Sequence, residues 1–163
     1  MIKNFETFLQ QNNIIPLDNG EWKLITVDHT SMDSKTIKAQ IRKDLQGYIT
    51  GVYVYTSLSG DVYYVGQGKL KSRVIKKYQQ ATSQKNEIPT SRGLFFRSKM
   101  ETMKVYVMNV EGYMEQIALE AMLSTILNPE YLDFLKEYNA RKKSGSLENW
   151  FKEIRQLQIV TFK

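Results

Sequence analysis

The chain has 163 residues, 42% hydrophobic and 25% charged, which suits a single domain over 1–163 with a real hydrophobic core. It has no cysteine and one histidine, His29, which excludes disulfide scaffolds, cysteine nucleophiles, cysteine-ligated metals and zinc held by two histidines. The net charge of +6 is compatible with a polyanionic partner such as nucleic acid. No apolar run approaches about 18 residues. The opening Met1-Ile2-Lys3-Asn4 lacks the basic-then-apolar order of a signal peptide, so a soluble, cytoplasmic protein without membrane contact is expected.

Residues 2–13 predict a short amphipathic helix with Ile2, Phe5, Phe8 and Leu9 on one side. Pro16 and Asp18-Asn19-Gly20 mark a turn, and Trp22 to Val27 reads as a short strand. Asp33 or Ser34 caps a helix over 35–46, which Gly47 closes. That helix carries Lys35, Lys38 and Arg42 on one side, with Lys43 nearby, and Ile37, Ile41 and Leu45 to pack inward. Residues 1–48 therefore read as an N-terminal extension.

Residues 51–56 and 61–66 are β-branched and aromatic, with Ser57-Leu58-Ser59-Gly60 between them, and predict an antiparallel hairpin. A helix follows from Leu70 to Gln80, a loop over 82–93, and a third strand from Lys104 to Met108. A helix over 112–127 ends before Pro129, and another covers 130–139. Residues 140–147 read as a mobile basic tract, Trp150 to Arg155 as a short helix, and 157–162 as a strand. The order implies an α+β fold in which a small central three-stranded antiparallel sheet is flanked by helices.

Four tyrosines sit in the hairpin. Tyr53 and Tyr55 point one way and Val52 and Val54 the other, with the valine face the better candidate for the core; Tyr63 and Tyr64 point to opposite faces. Cross-strand packing accounts for them without chemistry. A phenol can also hold a phosphate or accept a proton, provided cations lower its pKa from about 10. Lys69, Arg73, Lys76, Lys77 and Gln80 share one face of the next helix, as a solvated face or a phosphate site. Gly66-Gln67-Gly68 is either a phosphate nest or a tight strand exit.

Glu120 is a lone carboxylate within Ala118-Leu119-Glu120-Ala121-Met122-Leu123. Partly buried, it needs a partner, a metal or a proton. The partner is an arginine of the preceding helix, or else the residue types favour a hard cation such as Mg²⁺ held by one carboxylate plus substrate phosphates. His29 reads as an ordinary loop residue.

Gly51-Val52-Tyr53, ten intervening residues, and Tyr64-Val65-Gly66 resemble the two signatures of the GIY-YIG nuclease superfamily. Leu70-Lys71-Ser72-Arg73-Val74 resembles its arginine helix, and Leu119-Glu120-Ala121 with Pro129 nine residues after the glutamate resembles its acidic helix. The likeness covers residues 50–130, leaving 131–163 as a C-terminal extension. It implies a divalent-metal-dependent DNA endonuclease using Mg²⁺ or Mn²⁺. It implies Tyr53 as proton acceptor or water-orienting phenol, Tyr64 as a phosphate-side donor, Arg73 as the clamp on the scissile phosphate and Glu120 as metal ligand. Some members place a lysine beside the first tyrosine, a role open to Lys69, Lys76 or Lys77, with Lys77 taken as the catalytic one. Lys69, Lys76, Gly66 and Gly68 would then contact nucleic acid.

The chain departs from the P-x-x-N pattern of excision-repair members: Pro129-Glu130-Tyr131-Leu132 follows Asn128, and the next asparagine is Asn139. Stand-alone length with extensions resembles restriction-type members, for which a C2 homodimer would cut both strands. A repair or mobile-element nuclease and a non-cleaving binding module are the alternatives.

Overall fold

The tyrosine-rich hairpin lies at one side of a four-stranded sheet. The computed structural model describes residues 4–12 and 21–161. In chain order they form α1 (Phe5–Asn12), β1 (Lys23–Asp28), α2 (Ser34–Asp44), β2 (Thr50–Thr56), β3 (Val62–Lys69), α3 (Leu70–Ala81), α4 (Ser91–Lys99), β4 (Thr102–Asn109), α5 (Tyr113–Leu127), α6 (Glu130–Ser144) and α7 (Leu147–Thr161). The predicted Ile2 contact and the turn at Pro16 and Asp18 to Gly20 lie outside the described residues.

The fold is α+β, but the sheet has four strands where three were expected. They run antiparallel in the order β1-β4-β2-β3. The additional strand comes from the supposed extension: Lys23 pairs with Val107 and Asp28 with Thr102, so β1 forms the far edge. Phe5 of α1 packs edge-on against Trp22 and Tyr106, with ring centroids 5.2 and 4.9 Å away. The N-terminal segment is thus built into the sheet and its core.

Both faces of the hairpin are core, which corrects the preference for the valine face. Val52, Val54, Val62 and Val65 pack with Phe5, Phe8, Leu123 and Leu127 under α1 and α5. Tyr53, Tyr55 and Tyr64 pack with Leu70, Val74, Tyr78, Phe95 and Phe96 under α3 and α4. Alternation along β2 sends successive side chains into two cores, as a strand covered on both sides requires. Tyr63 and Tyr64 do not diverge. Tyr55 faces Tyr64 while Thr56 faces Val62, so Tyr63 is the extra residue of a bulge. Both rings then reach the same core, Tyr63 beside Phe95 and Tyr64 beside Phe96.

Three further expectations fail for local reasons. The loop expected over 82–93 ends early, because the Thr90 hydroxyl accepts a hydrogen bond from Gly93 N at 3.3 Å and starts α4. Leu94, Phe95 and Phe96 of this helix are all buried. The tract over 140–147 is mostly helical: α6 continues to Ser144 and ends on left-handed Gly145, φ +80°. The expected strand over 157–162 is helical as far as Thr161, and residue 162 lies outside the described residues. Leu147, Phe151, Ile154 and Gln158 are buried at helical spacing along α7. By contrast α2 forms as expected, with Asp33 accepting from Thr36 N at 3.1 Å and Ile41 and Leu45 buried. No helix among the described residues is long and apolar enough to cross a membrane.

Candidate active site at the sheet edge

Strand β3 is the near edge of the sheet, and two of its glycines leave the space in which the candidate residues meet. Tyr53 stands opposite Gly66 across the hairpin. A side chain at 66 would overlap the Tyr53 phenol, which lies over that position. A Cβ at Gly68, where φ is +129°, would come within 2.9 Å of Arg73 Nε. Gly66-Gln67-Gly68 lies within β3, one residue short of its end at Lys69. It is a gap within β3 that receives Tyr53 and Arg73. Gly51 serves the opposite flank, where any side chain would overlap the Met108 carbonyl of β4.

Tyr53 and Tyr64 stack at 6.1 Å between ring centroids. Lys77 Nζ lies 4.8 Å from the Tyr64 centroid and 5.4 Å from that of Phe96. The basic face expected on α3 is thus divided. Lys69, Arg73 and Lys76 are exposed, whereas Lys77 is 2% exposed. Burial is the largest reason that the Lys77 ammonium falls to about 7, with Arg92, Lys76 and Arg73 adding repulsion. A substantial fraction is the neutral amine at neutral pH.

Both phenols are raised rather than lowered, which favours the water-orienting alternative for Tyr53 over the proton acceptor and accords with Tyr64 as a donor. Burial raises Tyr53 far above the ordinary tyrosine value and outweighs the favourable field of Arg73 and Arg92. Burial also raises Tyr64, against the opposing effect of Arg92. Both are therefore neutral hydroxyls, suited to donate hydrogen bonds rather than to accept a proton.

Glu120 reaches this edge from α5, which packs against β3 and β2. It is half-buried, and desolvation raises its carboxyl above the usual range, while Arg92 and then Arg73 pull it back. None of the ion pairs among the described residues includes Glu120, so the expected bridge to an arginine of α3 is not formed. No cluster of three or more His, Cys, Asp or Glu occurs among the described residues. One carboxylate short of a partner, beside two arginines able to hold a phosphate, fits a hard cation that takes its remaining ligands from substrate and water.

Two residues of this neighbourhood were not identified from sequence. Arg92, on the first turn of α4, lies in the field of Tyr64 first and then of Tyr131, Tyr53 and Glu120, which raises its guanidinium pKa against burial; with the Tyr53 and Tyr64 phenols neutral, Glu120 is its anionic neighbour. Tyr131 of α6 places its ring 5.0 Å from Tyr64, and its hydroxyl lies 2.9 Å from Ser91 Oγ. The cap at Thr90 before three apolar residues was the available signal for α4 and hence for Arg92.

A cleft of about 550 Å³ opens beside the cluster, walled by Gly68, Lys69, Arg73, Lys76 and Tyr113 among others. Lys69 and Lys76 thus sit where a phosphate backbone could reach Arg73. Tyr53, Tyr64, Lys77 and Glu120 lie outside that wall, joined to it through Arg73. His29 is remote in role: fully buried against Tyr55, Tyr78 and Phe96, with Nδ1 3.1 Å from the Val27 carbonyl oxygen.

Comparison of the chain with protein-family models, curated proteins and solved structures returns no match.

Proposed function

We propose that the chain is a divalent-metal-dependent DNA endonuclease of the GIY-YIG type, acting as a C2 dimer on duplex DNA in the manner of a restriction enzyme. One observation carries the reading. Tyr53, Tyr64, Arg73, Lys77 and Glu120, drawn from β2, β3, α3 and α5, gather where Gly66 and Gly68 empty the edge of the sheet.

In this reading Arg73 grips two oxygens of the scissile phosphodiester with its planar fork and offsets charge that grows in the transition state. Arg92 adds a second positive charge to the same region. Tyr53, kept as a neutral phenol, donates a hydrogen bond to a phosphate oxygen or to the attacking water. Lys77 accepts the proton of that water as its oxygen bonds to phosphorus, and the bond from phosphorus to the leaving oxygen breaks. Glu120 would hold Mg²⁺ or Mn²⁺, which when bound stabilises the negative charge of phosphate and leaving oxygen.

The test is digestion of a randomised duplex library with Mg²⁺, followed by sequencing of the new ends. Recurrent, symmetric ends are expected. Glu120→Gln should abolish cutting while its thermal melt stays cooperative. Full cutting in EDTA, or by Glu120→Gln, would overturn the reading. Cuts confined to flaps, nicks or junctions would replace duplex with branched DNA as the substrate.

A further inference from the structure

A second cleft, of about 410 Å³, lies further along α3, between that helix, the 82–90 segment and α4. Its wall includes Lys76, Gln79, Gln80, Ser83, Lys85 and Arg97 and contains no carboxylate. Arg97 is the unusual member. It is 1% exposed, yet its guanidinium has only neutral acceptors. Nε and Nη2 donate to Gln158 Oε1 at 3.1 and 2.7 Å, and Nη1 donates to the Lys85 carbonyl at 3.0 Å. One face of the group lies 5.1 Å from the Phe151 centroid. Gln158 is itself fixed, donating to the carbonyls of Ala81 and Ser83 at 2.9 and 3.1 Å.

A buried charge ordinarily has an ionic partner, because removal from water is costly and neutral dipoles offset only part of it. Here three cations share one concave wall, and two of the five guanidinium N–H groups remain unused. In addition, Gln80, a partly exposed residue, has its Oε1 buried without a partner. The two ends of its amide differ only by a flip, so the same side chain can offer the wall either a donor or an acceptor.

The two clefts share Lys76. Lys69, Arg73, Lys76 and Gln80 succeed one another along one flank of α3, which leads from the first cleft to the second. From Arg73 to Gln80 the helix rises about 10 Å, roughly the axial rise of three nucleotides of one strand.

We propose that the cleft at Lys85 and Arg97 is a second phosphate site, which holds a backbone phosphate of the DNA strand several nucleotides from the one gripped by Arg73. Arg97 supplies the fixed charge, and Lys76 and Lys85 close over the phosphate from either side. This rests on the nuclease reading for the identity of the polyanion, although the site itself is built independently of the catalytic cluster.

The test uses the full chain carrying Glu120→Gln, with a fluorescent duplex titrated at several salt concentrations. Lys85→Glu should weaken binding roughly tenfold, and Lys85→Ala should make the salt slope shallower by about one. Lys23→Glu, the same change of charge on β1 at the opposite edge of the sheet, should do neither. Ethylation-interference mapping of Lys85→Ala should lose one protected phosphate away from the cut. Unaltered affinity and slope in both Lys85 variants would overturn the proposal while cutting persists. So would an equal loss in Lys23→Glu. If the wild-type chain binds through Lys85 but cuts nothing, the phosphate site stands and the nuclease reading falls.

Discussion

The two faces of the sheet are made from the same strands yet have opposite characters. Beneath α1 and α5, β2 and β3 present Val52, Val54, Val62 and Val65, side chains without polar atoms. Beneath α3 and α4 the same strands present Tyr53, Tyr55 and Tyr64, and around them Lys77 and His29 are buried as well. That face leaves the Tyr55 hydroxyl and His29 Nε2 without partners. The aliphatic face has polar groups only at its margin, in Tyr106, whose hydroxyl donates to Glu6 at 2.5 Å, and in Trp22, whose Nε1 is also without a partner; its valines do what burial alone requires. The aromatic face carries polar groups that a core built only for stability would omit. The difference separates residues that hold the sheet together from residues kept against their solvation preference.

The separation can be broken most forcefully at Lys77. Lys77→Met should reduce single-turnover cutting by about 10²- to 10⁴-fold, because it removes the base and leaves the volume filled. In the wild-type chain the rate should rise about tenfold per pH unit up to about pH 7 and then level, as the buried ammonium loses its proton. A profile that stays flat from pH 5.5 to 8 would deny Lys77 that role. Arg73→Ala follows, with about 10²- to 10³-fold slower cutting at saturating DNA and little change in affinity. Lysine there should restore only part of the rate, since a point charge lacks the fork.

Stability tests sharpen the same contrast. Burial lowers His29 from 6.5 to about 4, so the unfolded chain binds a proton across a window in which the folded chain does not. Stability should therefore fall as pH drops from 6.5 to 4, by about 3 kcal/mol in total. Urea melts across that range check it, and His29→Gln should remove most of the slope. On the aliphatic face, Val54→Ala should cost about 2 kcal/mol at every pH. The rate per folded molecule should not change.

Much of the aromatic face could be read from the sequence, because its groups recur at spacings that a hairpin and a helix impose. Tyr53, Tyr64, Arg73 and Glu120 are separated by known numbers of residues, and β2, β3, α3 and α5 form where patterning put them. Four features were not legible. The bulge at Tyr63 depends on register, which local alternation does not specify. Arg92 was hidden because a nine-residue helix containing Gly93 has weak propensity and depends on packing. The β-branched residues of α7 favour a strand locally, but Gln158 and Ile154 are held by tertiary contacts that only a helix satisfies. Lys77 could be placed on α3 but not inside the core, since helical spacing alone does not say how far a neighbouring element will cover a face.

Gly66 and Tyr53 occupy a single volume between them. Neither position can drift alone: a methyl at 66 evicts the phenol, and a small residue at 53 leaves a hole that glycine cannot fill. The Gly66→Ala and Tyr53→Ala losses should accordingly be strongly non-additive in a double-mutant cycle. A lineage that surrendered the tyrosine would be free to gain a side chain at 66 and would then find the way back sterically closed. The pair therefore works as a one-way catch, in which each residue fixes what the other may be.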